Sequence, residues 1–372
     1  MAGIYIHIPF CRQACTYCNF HFSTSLTNKD AVVAALAKEI TLQKDLKENI
    51  DTIYFGGGTP SLLSIDDLQL LFEALGKSFT ISNAAEITLE ANPDDISPEI
   101  LKQWRLTGIN RLSVGIQSFL EEELIWMNRA HNAAQSLQCI EMISDAGYTN
   151  FSVDLIYGSP LLSNDAFKKN AEIIFQKAIP HISCYALTVE PKTALHSLID
   201  QKKSLPVSAD KQAEQFLLLM KWMQQAGYEH YEISNFAKPG MRSQHNSSYW
   251  KGISYIGIGP SAHSFNGNTR RWNVANNSLY IQSINKNIIP YTEEVLTNTQ
   301  QLNECIMISL RTMEGLNLKS VKEKFGGEAA DKIFSESKKF LTSGAMQLKD
   351  ERLVLTNEGK LLADGIAADL FL

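Results

Sequence analysis

The sequence predicts an α/β fold of six strand–helix units followed by a smaller helical domain, and three patterns carry that prediction. Short β-rich runs recur, helical spacing fills the gaps between them, and glycines close several helical stretches. Six such units in succession imply parallel strands, because parallel neighbours need crossover connections of about a dozen residues or more. With 44% hydrophobic and 20% charged residues over 372 positions, the composition is ordinary for a globular chain. The length suffices for one large core and one small one.

The strand runs are "IYIHI" from Ile4, "TIYFG" from Thr52, "EITLEA" from Glu86, "RLSVGI" from Arg111, "FSVDLIYG" from Phe151 and "ISCYALT" from Ile182. Between them, 30–46, 65–77, 98–107, 133–146 and 164–178 carry apolar residues at three- and four-residue spacing and read as helices. Gly76, Gly108 and Gly147 suit C-cap positions. A further helix from about Asp210 leads into "YEHYEISNFA" and then a Gly-, Asn- and Ser-rich stretch to about Asn277, which places His245 in a polar loop. Beyond Pro290, helices over 300–313, 318–325 and 329–341, a hairpin over "AMQLKDERLVLT" and a last helix from Asn357 suggest a winged-helix-like domain. The divisions fall at 1–235, 236–289 and 290–372. Periodicity does not order strands, so a doubly wound sheet and an open or closed β/α barrel both fit.

A net charge of −6 gives no polybasic footprint, which argues against nucleic acid as a partner. No run approaches the roughly 20 apolar residues that span a bilayer, and the N-terminus lacks the charged lead and apolar core of a signal peptide. The chain therefore reads as cytoplasmic, where thiols stay reduced and clustered cysteines bind metal or do chemistry. Cys139, Cys184 and Cys305 lie in apolar stretches and read as small buried hydrophobes.

Cys11, Cys15 and Cys18 follow the first strand in a Cx3CxxC loop. Three thiolates can ligate three irons of a [4Fe–4S] cluster and leave the fourth iron open. Zinc is the rival, with His21 as its fourth ligand, although structural zinc usually takes paired CxxC units. "FGGGTP", Phe55 to Pro60, follows the second strand, where glycines admit close backbone approach and leave N–H groups free for a carboxylate or other anion. Glu90, Gln117, Arg129 and Asp154 stand at strand ends or in the loops after them, where ligands gather in parallel β/α folds. A cap or surface role is the alternative for each taken singly.

Cx3CxxC after a first strand resembles the radical S-adenosylmethionine (SAM) superfamily. In that superfamily the open iron chelates SAM, and an electron from the cluster cleaves the sulfonium to a carbon radical. "YIHIPFC", "GGGTP", "LEANP", "GIQSF" and "VDLIYGSP" sharpen the likeness to the coproporphyrinogen III dehydrogenase branch and cover nearly the whole chain. That resemblance implies a six-unit partial (β/α) barrel of radical SAM type, with Tyr5, Gly57, Gly58, Thr59, Glu90, Gln117, Arg129 and Asp154 lining the SAM pocket. Tyr5 and Tyr17 flank the cluster loop, where an aromatic face can pack on adenine or cluster.

The chain departs from the dehydrogenases at Phe20, which stands where their pattern places a fourth cysteine, and in beginning almost at the cysteine motif. "QHNSSYW", Gln244 to Trp250, resembles instead the HNxxYW signature of the haem chaperone family HemW. That likeness implies haem as cargo, His245 as its axial ligand, respiratory or membrane-associated haem acceptors, and a homodimer. His263 is a second-choice contact, and Arg270 and Arg271 suit haem propionates. In "YIGIGPSAHSF" the glycines Gly257 and Gly259 read by default as a turn at the barrel edge. Three functions stay open: a haem chaperone with a SAM-coordinated cluster, an oxygen-independent dehydrogenase converting coproporphyrinogen III to protoporphyrinogen IX by oxidative decarboxylation, and a structural cluster protein with a vestigial SAM pocket.

Overall fold

The computed structural model describes residues 2–43 and 49–372. The six expected strands are β1 (Ala2–Ile8), β2 (Ile50–Gly57), β3 (Ile81–Ala91), β4 (Arg111–Gln117), β5 (Phe151–Tyr157) and β6 (His181–Ala186). They pair in parallel in chain order. Their crossovers carry α1 (Lys29–Leu42), α2 (Ile65–Ser78), α3 (Pro98–Leu106), a short α4 (Glu121–Trp126), α5 (Ala133–Asp145) and α6 (Asn164–Gln176). The first helix ends at Leu42 with Gln43 extended, and the rest of its expected extension to Leu46 lies outside the described residues.

Alternation along the strands separates the two faces of the sheet. Ile4, Ile6 and Ile8 join the main core with α1 residues such as Leu36 and Ile40, while Tyr5 and His7 face the other way. Helix starts follow sequence chemistry: Ser64 with Asp67, and Asn132 with Gln135, form reciprocal capping boxes at α2 and α5. Gly108 and Gly147 take positive φ just beyond helix ends, as expected. Gly76 does not, because it lies inside α2 on an exposed face where a side chain would meet nothing.

After β6 come α7 (Ala194–Asp200), α8 (Ala209–Gln225), β7 (Glu229–Glu232), β8 (Asn235–Ala237), α9 (Gln244–Trp250), β9 (Tyr255–Ile258), β10 (His263–Phe265), β11 (Thr269–Asn273), α10 (Asn277–Asn285) and β12 (Tyr291–Val295). β9 adds a seventh parallel strand, out of chain order, on the free side of β1. β10, β11 and β12 continue antiparallel beyond it, and β8 and β7 extend the β6 edge. The twelve-stranded sheet ends on β12 and β7 and does not close, so the barrel is partial.

The last region contains α11 (Asn298–Leu310), β13 (Leu316–Asn317), α12 (Leu318–Phe325), α13 (Gly327–Thr342), the hairpin β14 (Met346–Lys349) and β15 (Arg352–Leu355), α14 (Asn357–Lys360) and α15 (Ala363–Asp369). Helices followed by a small antiparallel sheet match the winged-helix-like expectation. Leu302, Ile306, Val321, Ile333, Met346 and Leu353 give it a core of its own. No helix among the described residues is long and apolar enough to cross a membrane.

Candidate functional site

The cysteine loop leaves β1 and is pinned from several directions. The Cys11 amide donates to the Ser23 carbonyl at 3.0 Å, and the Thr16 amide to that of Met127 at 3.1 Å. Asn128, held at positive φ, donates to the Ala14 carbonyl at 2.7 Å, and Arg12 forms an ion pair with Asp95 at 2.9 Å. Tyr17 packs on the apolar cluster of Met127, Ile156, Leu187 and Leu195. Burial pushes the Cys11 thiol up to about 11 and also raises Cys18.

Among the described residues, no three His, Cys, Asp or Glu side chains converge on a single metal point. A [4Fe–4S] group does not ask for that, since its cysteines bind three separate irons around a cube. The donor set fits such a group: three half-buried thiols on one loop, with Arg129 Nη1 donating to Cys15 Sγ at 3.1 Å. That contact sets a cation against one of the three sulfurs.

The glycine turn is used differently from the expectation. The Gly58 amide donates to the Ile8 carbonyl at 2.9 Å and the Thr59 amide to that of Phe10 at 2.7 Å, while Gly57 N–H meets Glu90 Oε2 at 3.2 Å. These N–H groups clamp the turn to β1 and to Glu90, so they are not free for an anion. The glycines are needed for closeness: a Cβ at Gly58 would stand 2.5 Å from the Phe10 carbonyl oxygen, and one at Gly57, whose φ is +109°, would stand 2.5 Å from the His7 ring. The turn thereby fixes the backbone immediately before Cys11.

Inside the open barrel, Tyr5, Tyr54, Glu90, Ser113 and Asp154 form a row across β1 to β5. Tyr5 and Tyr54 occupy matched positions with rings 6.1 Å apart, and Tyr54 donates to Glu90 Oε1 at 2.8 Å. Ser113, beside Glu90 in register, donates to Asp154 Oδ1 at 3.5 Å. Burial, ahead of every other cause, raises Glu90 to about 7 and Asp154 to about 6. A second group gathers over Gly115, where Arg129 Nη2 donates to Asn92 Oδ1 at 2.7 Å and to the Gly115 carbonyl at 2.8 Å. Gln117 adopts φ of +62°, and its Oε1, like Arg129 Nε, is buried without a partner among the described residues. Orphaned polar atoms in such a place call for a ligand or water, and with the half-buried carboxyls of Glu90 and Asp154 nearby they fit the cationic, amino-acid-bearing SAM.

His245 does not sit in a polar loop. It lies on α9, is 1% exposed, and both ring nitrogens are engaged, Nδ1 with Thr52 Oγ1 at 2.8 Å and Nε2 with Tyr249 Oη at 2.8 Å. Its ring stacks on Tyr54 at 5.0 Å, and burial drives its pKa down to about 3, so the imidazole is neutral. The α9 amides of Gln244 and His245 donate to the Glu86 carboxylate of β3 at 2.9 and 3.0 Å. In this conformation, neither imidazole nitrogen of His245 is free for an iron.

Two other expectations change, and the turn reading of Gly257 is kept. Cys305 is only half-buried and lines a large cavity, unlike the buried Cys139 and Cys184. Arg270 lines the same cavity and pairs with Glu304 at 2.9 Å, whereas Arg271 turns to Glu293 and to the Tyr291 ring. A Cβ at Gly257 would strike the His263 backbone, so that glycine serves the tight β9–β10 turn. Sequence reasoning passed over His7, Tyr54 and Asn92, all inside stretches already quoted. Strand alternation was the available signal, since His7 shares a face with Tyr5, and Tyr54 shares one with Gly56.

Known proteins resemble this chain over nearly its whole length. The Radical SAM superfamily model matches residues 5–174 and the HemN C-terminal domain model matches 296–362. The solved coproporphyrinogen III oxidase (HemN) of Escherichia coli, a radical SAM enzyme, superposes with a TM-score of 0.86 over all of this chain and 90% of its own, at 22% identity, which speaks to fold alone. The heme chaperone HemW of Mycobacterium tuberculosis is 32% identical, covering 99% of this chain and 94% of its own. That of Bacillus subtilis is 35% identical across 98% of both chains, so the chain belongs to the HemW family within the radical SAM superfamily.

Proposed function

We propose that the chain is a haem chaperone: it binds haem and hands it to acceptor proteins, with a SAM-coordinated [4Fe–4S] cluster at the mouth of the partial barrel. The end-to-end likeness to relatives named heme chaperones carries this reading. Cys11, Cys15 and Cys18 hold the cluster, and Tyr5, Glu90, Gln117, Arg129 and Asp154 receive SAM. Gly57, Gly58 and Thr59 act by bracing the loop. When bound, the cluster supplies an electron to the SAM sulfonium. The protein's part is to pair the SAM ammonium with Glu90, to offer Asp154 and Gln117 as hydrogen-bond acceptors, and to keep Arg129 against the sulfur of Cys15.

The same reading puts the chain in the cytoplasm, as a homodimer delivering haem to respiratory proteins, with 1–235, 236–289 and 290–372 as its working divisions. The separate C-terminal core supports the last of these. A second reading, coproporphyrinogen III dehydrogenation, is favoured by the fully furnished lumen. Anaerobically reconstituted protein titrated with haem, then assayed for coproporphyrinogen conversion with SAM and a reductant, separates the two. Haem uptake without protoporphyrinogen IX is expected; conversion without haem uptake would reverse the assignment.

A further inference from the structure

A cavity of about 720 Å³ opens between the cysteine loop, α9, the β9–β10 turn, α11 and α12. Its volume falls in the range of about 300–1,000 Å³ typical of small-molecule sites. Tyr5, Phe20, Tyr249, Trp250, Tyr255 and Phe265 face it, which gives apolar ring surface on several sides. Phe20, 67% exposed at its wall, adds to this contiguous set of apolar rings. Lys251 and Lys324 also line it, and neither forms an ion pair among the described residues; Arg270 is a third cation. Flat aromatic walls with spare cations match a planar macrocycle bearing two carboxylates.

Resting on the haem-chaperone reading, we infer that this cavity is the haem site and that His263, rather than His245, is the axial ligand. Three histidines line the cavity: His7, His21 and His263. His7 is engaged at both nitrogens, with Tyr5 Oη at 3.2 Å and the His21 carbonyl at 2.9 Å. His21 is held on one nitrogen and one ring face, with Nε2 meeting Asn277 Oδ1 at 2.8 Å and the ring stacked on His7 at 6.2 Å. His263 is exposed to the cavity, its ring nitrogens make no hydrogen bond among the described residues, and its ring is backed by Trp272 at 6.3 Å. A neutral imidazole with a free lone pair is what haem iron takes. Burial and the neighbouring Arg270 both lower the His263 pKa, which keeps it in that form. Cys305 is the competing donor, but burial raises its pKa and disfavours the thiolate.

His245 then has a positioning role. Through its bond to Tyr249 it orients an aromatic wall of the cavity, while its other face stacks on Tyr54, the partner of Glu90. One imidazole thus touches both the lumen row and the haem cavity.

The test uses the full chain titrated with ferric haemin and followed by absorbance. Wild type is expected to give a Soret band of imidazole-ligated haem. His263→Ala should shift that band and weaken binding at least tenfold, with added imidazole restoring the wild-type spectrum, and His263→Cys should convert it to a thiolate-ligated type. His245→Gln should retain the imidazole-type band. A wild-type spectrum and affinity in both His263 variants would overturn the assignment, as would imidazole rescue confined to His245→Gln. Failure of wild type to take up haemin at all would instead overturn the haem-chaperone reading beneath it.

Discussion

The cysteine loop and helix α9 are each short, each carry a recognisable run of residues, and use their polar groups in opposite ways. On the loop, backbone bonds and the Arg12–Asp95 pair hold the chain while the three thiols stay half-buried and available. On α9 the residues that look like ligands are spent internally: His245 on Thr52 and Tyr249, the first amides on Glu86. A run of ligand-type residues is therefore a ligand set only where the scaffold supplies the hydrogen bonds. Where the side chains supply them, the same residue types are scaffold.

The sharpest way to break this contrast is at the cysteines. Cys11→Ala, Cys15→Ala and Cys18→Ala should each abolish cluster assembly, read as near-complete loss of iron and sulfide after reconstitution, while leaving the fold intact. A full iron complement in any one of them would remove that cysteine from the set. His245→Ala should do the reverse, costing about 2–4 kcal/mol in denaturant unfolding by leaving Thr52 and Tyr249 unpaired beside a cavity, with little loss of cluster iron. A stability change within about 0.5 kcal/mol would mean that α9 does not depend on it.

Gly58→Ala lies between these extremes. The added methyl meets backbone rather than a movable side chain, so about 1–3 kcal/mol of destabilisation is expected, together with reduced cluster occupancy through the shifted Phe10. Thermal unfolding and iron content, measured together, test whether the turn is a brace.

Next in size is pH. Glu90, raised to about 7, is neutral below that value and must lose its proton to pair with the SAM ammonium. SAM affinity should fall about tenfold per pH unit below about 7, and Glu90→Gln should flatten the profile, as equilibrium binding would show. For the chain without SAM the sign is opposite. The folded carboxyl keeps its proton after the unfolded one, with its ordinary value of 4.5, has lost it, so this group's contribution to stability declines as pH rises from 4.5 to about 7. Smallest of all, Arg271→Ala breaks a half-exposed pair with Glu293 outside the cavity and should change stability by less than about 1 kcal/mol, with unchanged haemin titration.

The strands and helices of the barrel were legible because each is written locally, by alternation or three-to-four spacing closed with a cap. The place of β9 was not, since nothing local in "YIGI" says that Tyr255 pairs beside Gly3. The Ser- and Asn-rich run around His245 read as a loop for a physical reason: those residues favour caps and turns. Here Ser243 is itself an N-cap, and the distant Glu86 takes the remaining amides. The residues of the lumen were findable at strand ends, but their availability was not, because whether the Gly57–Thr59 amides are free depends on carbonyls and a carboxylate contributed by other strands.

The seating of β1 between β2 and β9 has a consequence in time. A ribosome adding about 5–20 residues per second makes β1 and the cysteine loop about 250 residues before the strand that flanks β1 on its second side, a delay of roughly ten to fifty seconds. Until then β1 offers an unpaired edge, and the loop beyond it hangs from a strand bonded on one side only. The cysteine loop is thus not fully seated until β9 has emerged, which puts its loading after that point and makes the early edge of β1 a natural client for cellular folding factors.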